Sequence, residues 1–202
     1  MFTFRAKLIG GIVAIIIILI CIGLILNRHL FERPNKINVN GANVVLEMQK
    51  LGNLETASYS IEKIVEAGQN GNVFQDLLFG DRILLIAHGK VIAGVNVSYI
   101  TENNITITED SLTITLPPPQ ILMSTLDNSK TRVYDRTKGY LTPGNTNLES
   151  EARLAAEQSI LQGACEAGIL QEARENAVEQ ITKLFELSGF TTVTVHIPEG
   201  TC

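Results

Sequence analysis

The sequence has no tryptophan and only three cysteines and three histidines in 202 residues. So few cysteines exclude a small secreted scaffold held together by several disulfides. Positive charge is also scarce beyond the N-terminal region, because residues 37–202 hold 11 Lys and Arg against 20 Asp and Glu. This balance excludes a generally basic nucleic-acid-binding protein, so no nucleic-acid partner is expected.

Sequence motifs that carry catalytic or metal chemistry are missing as well. The histidines are scattered at His29, His88 and His196, without the spacing or the Cys-x-x-Cys pair of a metal site. No Gly-x-Ser-x-Gly occurs, and the glycine-containing stretch at 68–72 lacks the Gly-Lys-Ser/Thr of a phosphate loop. The sequence therefore predicts a protein with no enzymatic activity, catalytic residue, metal or cofactor.

A long apolar run lies near the start of the chain. Residues 8–26 contain no charged side chain, and as a helix they would be about 28 Å long, close to the thickness of a bilayer core. A buried core helix would normally show a polar stripe, which this run lacks. A cleaved signal peptide would have a shorter apolar region and an Ala-x-Ala pattern. The sequence predicts an uncleaved, single-pass transmembrane anchor.

The sequence gives a weaker signal for the orientation of this anchor in the membrane. Basic residues are nearly balanced, with Arg5 and Lys7 before the run and Arg28, Arg33 and Lys36 after it. Because short leaders usually stay in the cytosol, we expect an extracytoplasmic body. Such a body could form a disulfide between Cys165 and Cys202. The predicted organisation is a tail at 1–7, a transmembrane helix at 8–26, a juxtamembrane linker at 27–40 and a folded domain at 41–202.

The first half of the predicted domain is rich in strand patterns. A short helix is expected over residues 42–51, with Leu51 on its apolar face, and a strand over 54–66. The apolar run at 83–87 predicts a covered strand, a turn follows at 88–90, and a second strand occupies 91–100. Alternation over 105–116 predicts a hairpin that three prolines terminate. One or two further strands are expected over 121–134.

The last third of the chain is helical in character. Residues 147–188 are rich in Ala and Glu, and Gly168 is expected to divide them into two helices. The predicted apolar face of the second helix consists of Leu170, Ala173, Ala177, Ile181 and Leu184. The first helix shows a stripe of small residues at Ala155, Ala156, Ser159, Gly163, Ala164 and Ala167. With a final strand over 190–197, the sequence predicts an α+β domain whose antiparallel or mixed sheet carries a C-terminal helical layer.

Several short motifs, taken in order, resemble one bacterial family. These are Lys-Val-Ile-Ala-Gly-Val-Asn-Val-Ser at 90–98, Ile-Thr-Leu-Pro at 114–117, Gly-Ile-Leu at 168–170, and Leu-Ser-Gly-Phe at 187–190 followed by Val193 and Val195. The pattern is similar to the uncharacterised family known as domain of unknown function 4230. The resemblance implies one N-terminal membrane segment followed by this domain. It does not indicate any particular activity.

One charge pattern stands out against the acidic body. Lys130, Arg132, Tyr134, Arg136 and Lys138 alternate with other residues, so on a strand they would share one face. This face could contact lipid headgroups, an anionic polymer or an acidic patch of a neighbouring copy. The alternative, which is the more common arrangement, is an edge strand whose cations discourage aggregation.

Together these features predict a membrane-anchored protein that works in scaffolding, assembly or partner binding. The bilayer is one expected partner, and a second copy bound through the C-terminal helix is another. A membrane-tethered enzyme of hydrolase type, or a small-ligand sensor, is the alternative if its residues converge only in the fold.

Overall fold

The computed structural model describes residues 41–68 and 72–202, together with positions 20 and 22. The chain divides into two units, Met1–Asn38 and Val39–Cys202, and the described body belongs to the second. Apart from positions 20 and 22, the predicted tail, transmembrane helix and linker lie outside the described residues, as do His29 and the loop at 69–71. Within the described residues, no helix is both long enough and apolar enough to cross a bilayer.

The described body contains four α-helices and seven β-strands. The helices are α1 (Gly41–Leu51), α2 (Val73–Phe79), α3 (Leu148–Glu166) and α4 (Ile169–Leu187). The strands are β1 (Asn53–Gly68), β2 (Asp81–Asn96), β3 (Ile105–Thr108), β4 (Ser111–Thr115), β5 (Gln120–Leu126), β6 (Arg132–Lys138) and β7 (Thr192–His196). A short 3-10 helix, Glu102–Asn104, precedes β3. The α+β class, the C-terminal helices and the final strand are confirmed.

The larger sheet is built on two long strands. β1 and β2 have 16 residues each and pair antiparallel along their whole length. The other edge of β2 carries two shorter strands in succession, β6 along residues 81–86 and β5 along residues 89–94. A single strand, β2, therefore fixes the positions of three others.

The smaller sheet has the order β3, β4, β7. β3 and β4 form the predicted antiparallel hairpin, and β7 joins β4 in parallel, with Leu112 opposite Val193. The turn between β3 and β4 contains Glu109, whose φ of 53° is in the left-handed region. The last strand of the chain therefore closes a sheet that begins far from it in sequence.

The predicted turn at residues 88–90 is wrong, because β2 runs through it without a break. Gly89 pairs with Ile61 on one side and Leu126 on the other. A Cβ atom at Gly89 would lie 2.8 Å from Cδ1 of Ile160 on α3. Glycine is present at this position because α3 packs closely against β2. The contact joins segments that are far apart in the sequence, so the residues around Gly89 do not reveal it.

Helix α3 packs through residues spaced four apart. Its buried positions are Leu148, Ala152, Ala156, Ile160 and Ala164. Of the six small residues predicted as a stripe, only Ala156 and Ala164 are fully buried. The predicted stripe therefore shares only two residues with the buried face of α3. The three alanines of the buried face let α3 approach β1 and β2 closely.

Helix α4 links the two hydrophobic cores of the domain. Its first half packs on the larger sheet, and its second half packs with α1 and the smaller sheet. Gly168 precedes it with φ of 83°, which confirms the predicted break. Leu184 was expected on the buried face but is 44% exposed, and Phe185 is buried instead. In α1, Val44 and Met48 are buried, whereas Leu51 is 43% exposed, contrary to expectation.

We predict that Gly89→Ala lowers the free energy of unfolding by about 1–3 kcal/mol, because the new methyl group overpacks the contact with Ile160. Adding Ile160→Val should recover part of this loss, since it shortens the side chain at the clash. Denaturant unfolding of both variants gives the measurement. Gly41→Ala is the control, because nothing lies within 4 Å of that Cβ position. Strictly additive effects of the two substitutions would contradict the packing contact.

Candidate partner-binding surface

The predicted basic face on β6 does not exist as a single face. Lys130 lies in the turn before the strand, 3.5 Å from Asp127. A β-bulge at Tyr134 shifts the register, so that Arg132 lies opposite Ile86 while Arg136 lies opposite Ile83. Residues paired across two strands lie on the same face of the sheet. The bulge therefore places Arg132 on the opposite face from Arg136, and the alternation rule fails because it assumes a regular strand.

Arg136 is held in a nearly buried ion pair. Its Nε donates to Oδ1 of Asp81 at 3.0 Å and its Nη2 donates to Oδ2 at 2.7 Å. The same Nη2 donates to the Asn145 carbonyl at 2.7 Å, and the Asn145 N–H donates to Oδ2 of Asp81 at 2.6 Å. Asp81 is only 7% exposed. We call these three residues the Asp81 clamp; it fastens the loop at residues 139–147 onto the sheet.

The Arg136 guanidinium and the Asn145 N–H stabilise the ionised carboxylate of Asp81. They lower its pKa from 3.8 to about 2, against the opposing effect of burial. The same pair raises the pKa of Arg136. Arg136 is therefore a structural residue, already committed to a partner inside the chain.

The other predicted contact residues remain at the surface of the domain. Arg132 and Lys138 are exposed, and Tyr134 is 69% exposed. Among the described strands, β6 pairs with β2 alone, so it is an edge strand, where cations discourage unwanted pairing. Contact between these residues and an anionic partner stays a prediction.

Beside the end of β6 lies a surface that sequence reasoning missed. Backbone N–H groups of residues 139, 140 and 141 donate to the carbonyls of Gly80, Leu77 and Leu78 at 2.7, 3.1 and 2.8 Å. These bonds join α2, at the far end of β1 and β2, to the loop held by the Asp81 clamp. The two segments expose six apolar residues, which we call the apolar tip: Phe74, Leu77, Leu78, Phe79, Tyr140 and Leu141.

The apolar tip is large for a surface that meets only water. Phe74, Phe79 and Tyr140 are 80%, 58% and 86% exposed. At ~200 Å² for each fully exposed aromatic residue, these three alone present about 450 Å². The largest apolar patch on a typical monomer is about 300–600 Å² and is often functional. With three leucines added, the summed exposed area of the tip residues is about 700 Å², which is above that range. The tip is therefore the best candidate for a contact surface.

Local chemistry gives the tip a defined shape. α2 begins at a capping box, in which the Asn72 side chain accepts from the Gln75 N–H and Gln75 reaches back to the Asn72 N–H. Gly139 lets the loop approach closely, since a Cβ there would lie 2.6 Å from the carbonyl carbon of Leu78. The sequence does contain a signal for this surface, a cluster of Phe and Leu residues after the predicted loop at 68–72. Hydrophobic periodicity does not identify it, because these side chains do not pack in a core.

A second apolar surface lies where α1 and the end of α4 meet. This α1–α4 groove has a volume of about 320 Å³, and its apolar lining consists of Val44, Met48, Leu51, Leu184, Phe185 and Phe190. Asn43, Glu47 and Ser188 supply the polar part of its lining. The groove therefore offers an apolar concavity with a polar rim.

The third notable feature is a disulfide between Cys165 and Cys202. It fastens the C-terminal tail to the end of α3, and Arg174 lies 3.8 Å from Glu199 of that tail. A concavity of about 300 Å³ lies between the tail and α4. Sequence reasoning had left this pairing open, because nothing in the sequence showed that the tail returns to α3.

Ionisable groups with shifted pKa values do not converge on one site. Tyr59 donates to Oε2 of Glu172 at 2.6 Å, and this bond raises the Tyr59 pKa. Asp81 lies opposite Lys138, whereas Tyr59 lies opposite Val91, so about 33 Å of β2 separates the two positions. In the part of the chain that the structure describes, no three His, Cys, Asp or Glu side chains are grouped to hold a metal ion.

A comparison with protein families decides the family of the chain. Residues 47–195 match the model described as "Protein of unknown function (DUF4230)". The chain belongs to the DUF4230 family. The match covers both sheets of this DUF4230 domain, α2, and the helices α3 and α4. Neither a curated protein nor a solved structure matches the chain significantly.

We predict that Asp81→Asn destabilises the domain by about 2 kcal/mol at pH 7, because the carboxylate with the lowered pKa is lost. An ionised Asp81 stabilises the fold above about pH 4, and this contribution disappears as the pH falls from 4 towards 2. The difference between wild type and variant should therefore shrink over that interval. Urea unfolding at several pH values gives the measurement. Asp127→Asn is the control with a smaller expected effect, and a difference independent of pH would contradict the role of the clamp.

Proposed function

We propose that this protein is a membrane-anchored, non-enzymatic assembly module that binds its partner through the apolar tip. The observation that carries the proposal is the exposure of Phe74, Phe79 and Tyr140 on two segments that backbone hydrogen bonds join. Exposed aromatic clusters of this size mark contact sites with proteins or membranes. The family match assigns no activity, so the proposal depends on geometry.

The construction of the tip supports a binding role. A capped helix, three backbone hydrogen bonds and the Asp81 clamp all hold its two segments together. A surface ordered before it meets its partner loses less conformational entropy on binding. Apolar side chains on a flexible loop would lose this advantage, and they would collapse against the body more readily.

The charges around the tip favour an apolar protein surface over an anionic one. Arg82 lies 2.9 Å from Glu66 and 3.9 Å from Asp76, and Arg136 is paired with Asp81. The carboxylates of Glu66, Asp76 and Asp81 therefore offset the charges of Arg82 and Arg136 at this end of the domain. Attraction to an anionic polymer or anionic lipid needs an excess of positive charge, so burial of apolar area is the main driving force that we propose.

The C-terminal helices offer less apolar surface for assembly than their sequence indicates. The apolar faces of α3 and α4 are buried in the cores of the same chain. Of their larger apolar residues, Leu154, Leu184 and Leu187 are exposed. Association through the C-terminal helical segment, residues 147–188, stays a prediction, and Leu154 gives a convenient position at which to compare it with the tip.

We further propose that the folded domain is outside the cytoplasm, behind the anchor predicted at residues 8–26. The disulfide between Cys165 and Cys202 supports this location, because such bonds form and persist in oxidising compartments. The proposed module thus works beside the outer face of the membrane that anchors it.

A photo-cross-linking amino acid at position 140 of the full-length protein tests the binding role in intact cells. We expect a covalent adduct of defined mass, because Tyr140 belongs to the proposed contact and is 86% exposed. Position 154 on α3 is the matched control, since Leu154 is also exposed at 60%. An adduct from position 154 and none from position 140 would place the contact on the helix and contradict the proposal.

Thiol alkylation in intact cells tests the proposed location. We expect Cys165 and Cys202 to be protected from a thiol reagent until a reductant is added, because an oxidising compartment preserves their disulfide. The Cys165→Ser variant is the control, since it leaves Cys202 without its partner and open to the reagent. Alkylation of both cysteines in the wild type without reductant would indicate a reducing compartment.

A further inference from the structure

The apolar tip and the α1–α4 groove lie at opposite ends of the domain. α2 lies between β1 and β2 where β1 ends, and α1 leads directly into the start of β1. Helix α4 passes Thr56 near its own beginning, where Ala173 accepts from the Thr56 hydroxyl at 2.7 Å, and its last turn reaches α1. A 16-residue strand is about 50 Å long, so the two surfaces belong to opposite ends of an elongated sheet.

We propose that the apolar tip of one copy docks into the α1–α4 groove of the next copy. This inference rests on the proposed function and names the partner of the same surface. The tip projects aromatic side chains, and the groove is an apolar concavity of about 320 Å³. That volume is at the lower end of ligand pockets, so it accommodates one or two side chains such as Phe74 or Tyr140 and does not accommodate a whole helix.

The area of the tip is sufficient for one side of a specific interface. With its three leucines included, the tip presents about 700 Å², if ~200 Å² is taken for a fully exposed aromatic residue and slightly less for leucine. The tip alone therefore approaches the roughly 800 Å² that each partner contributes to a standard interface. In the groove lining, Leu51 and Leu184 are 43% and 44% exposed.

The charges at the edges of the two surfaces are complementary. Lys138 is exposed two residues before the tip residue Tyr140, and Glu47 lines the groove. Glu47 is paired with Lys50, but both side chains are about 70% exposed, so exchanging this partner costs little. Opposite charge at the rim orients the two copies, while the apolar contact supplies the affinity.

A contact between unlike surfaces has a consequence for assembly. Each copy that uses its tip still has a free groove, and each that uses its groove still has a free tip. Such heterologous contacts produce a ring when the rotation closes and an open chain when it does not. The proposed contact therefore generates a scaffold larger than a dimer from one kind of subunit.

The mass of the full-length protein in detergent micelles tests the inference. The tip variant carries Phe74→Asp and Tyr140→Ser, and the groove variant carries Leu184→Glu. We expect the wild type to exceed dimer mass at micromolar concentration and each variant alone to be monomeric, with association weakened at least about thirtyfold. Leu154→Glu, at an exposed position of α3, is the control that should leave the assembly unchanged.

Mixing the two variants is the decisive step. A tip variant still has its groove and a groove variant still has its tip, so a one-to-one mixture should form dimers and nothing larger. Formation of dimers also shows that both variants are folded. If Leu184→Glu fails to fold, Leu51→Glu replaces it at another position of the groove lining.

Other outcomes separate this inference from the proposed function. A mixture that stays monomeric, or a groove variant that still assembles, overturns docking into the groove. In that case the tip binds elsewhere. The proposed function survives either result if position 140 still cross-links in cells. A monomeric wild type with no adduct at position 140 overturns both.

Discussion

The long antiparallel ladder between β1 and β2 is the constraint on which the rest of the structure depends. β5 and β6 pair along one edge of β2, α3 and α4 cover one face, and α2 occupies the far end. The close packing of Ile160 on Gly89 requires β2 to be continuous at that point. If β2 turned where its sequence indicates, the tip and the groove would not lie at opposite ends of one rigid sheet.

The Asp81 clamp helps to hold in place the apolar tip, a surface whose exposure to water is unfavourable. Exposed phenylalanines increase the risk of nonspecific association, so their position must be controlled. The clamp holds the loop at residues 139–147 through one nearly buried carboxylate. Backbone hydrogen bonds from this loop to Leu77 and Leu78 connect it to α2. The ion pair therefore stabilises the domain and also orders the proposed binding surface.

Sequence patterns predicted the elements whose buried residues recur at regular spacing. The hairpin of β3 and β4, the two C-terminal helices and the break at Gly168 follow from such periodicity. Periodicity failed where tertiary contacts decide. Gly89 resembles a turn residue, the bulge at Tyr134 changes which residues share a face, and α2 directs its apolar side chains to solvent. The candidate surface was missed because it does not form part of a core.

Covalent footprinting with hydroxyl radicals, on the full-length protein in intact cells, tests the central claim most directly. The account predicts that Phe74, Phe79 and Tyr140 react slowly in intact cells and become reactive when the protein is dispersed in detergent as a monomer. Tyr99, at 83% exposure on another part of the domain, serves as the internal reference. Equal reactivity of the three tip residues in both states would show that nothing covers the tip and would contradict the account.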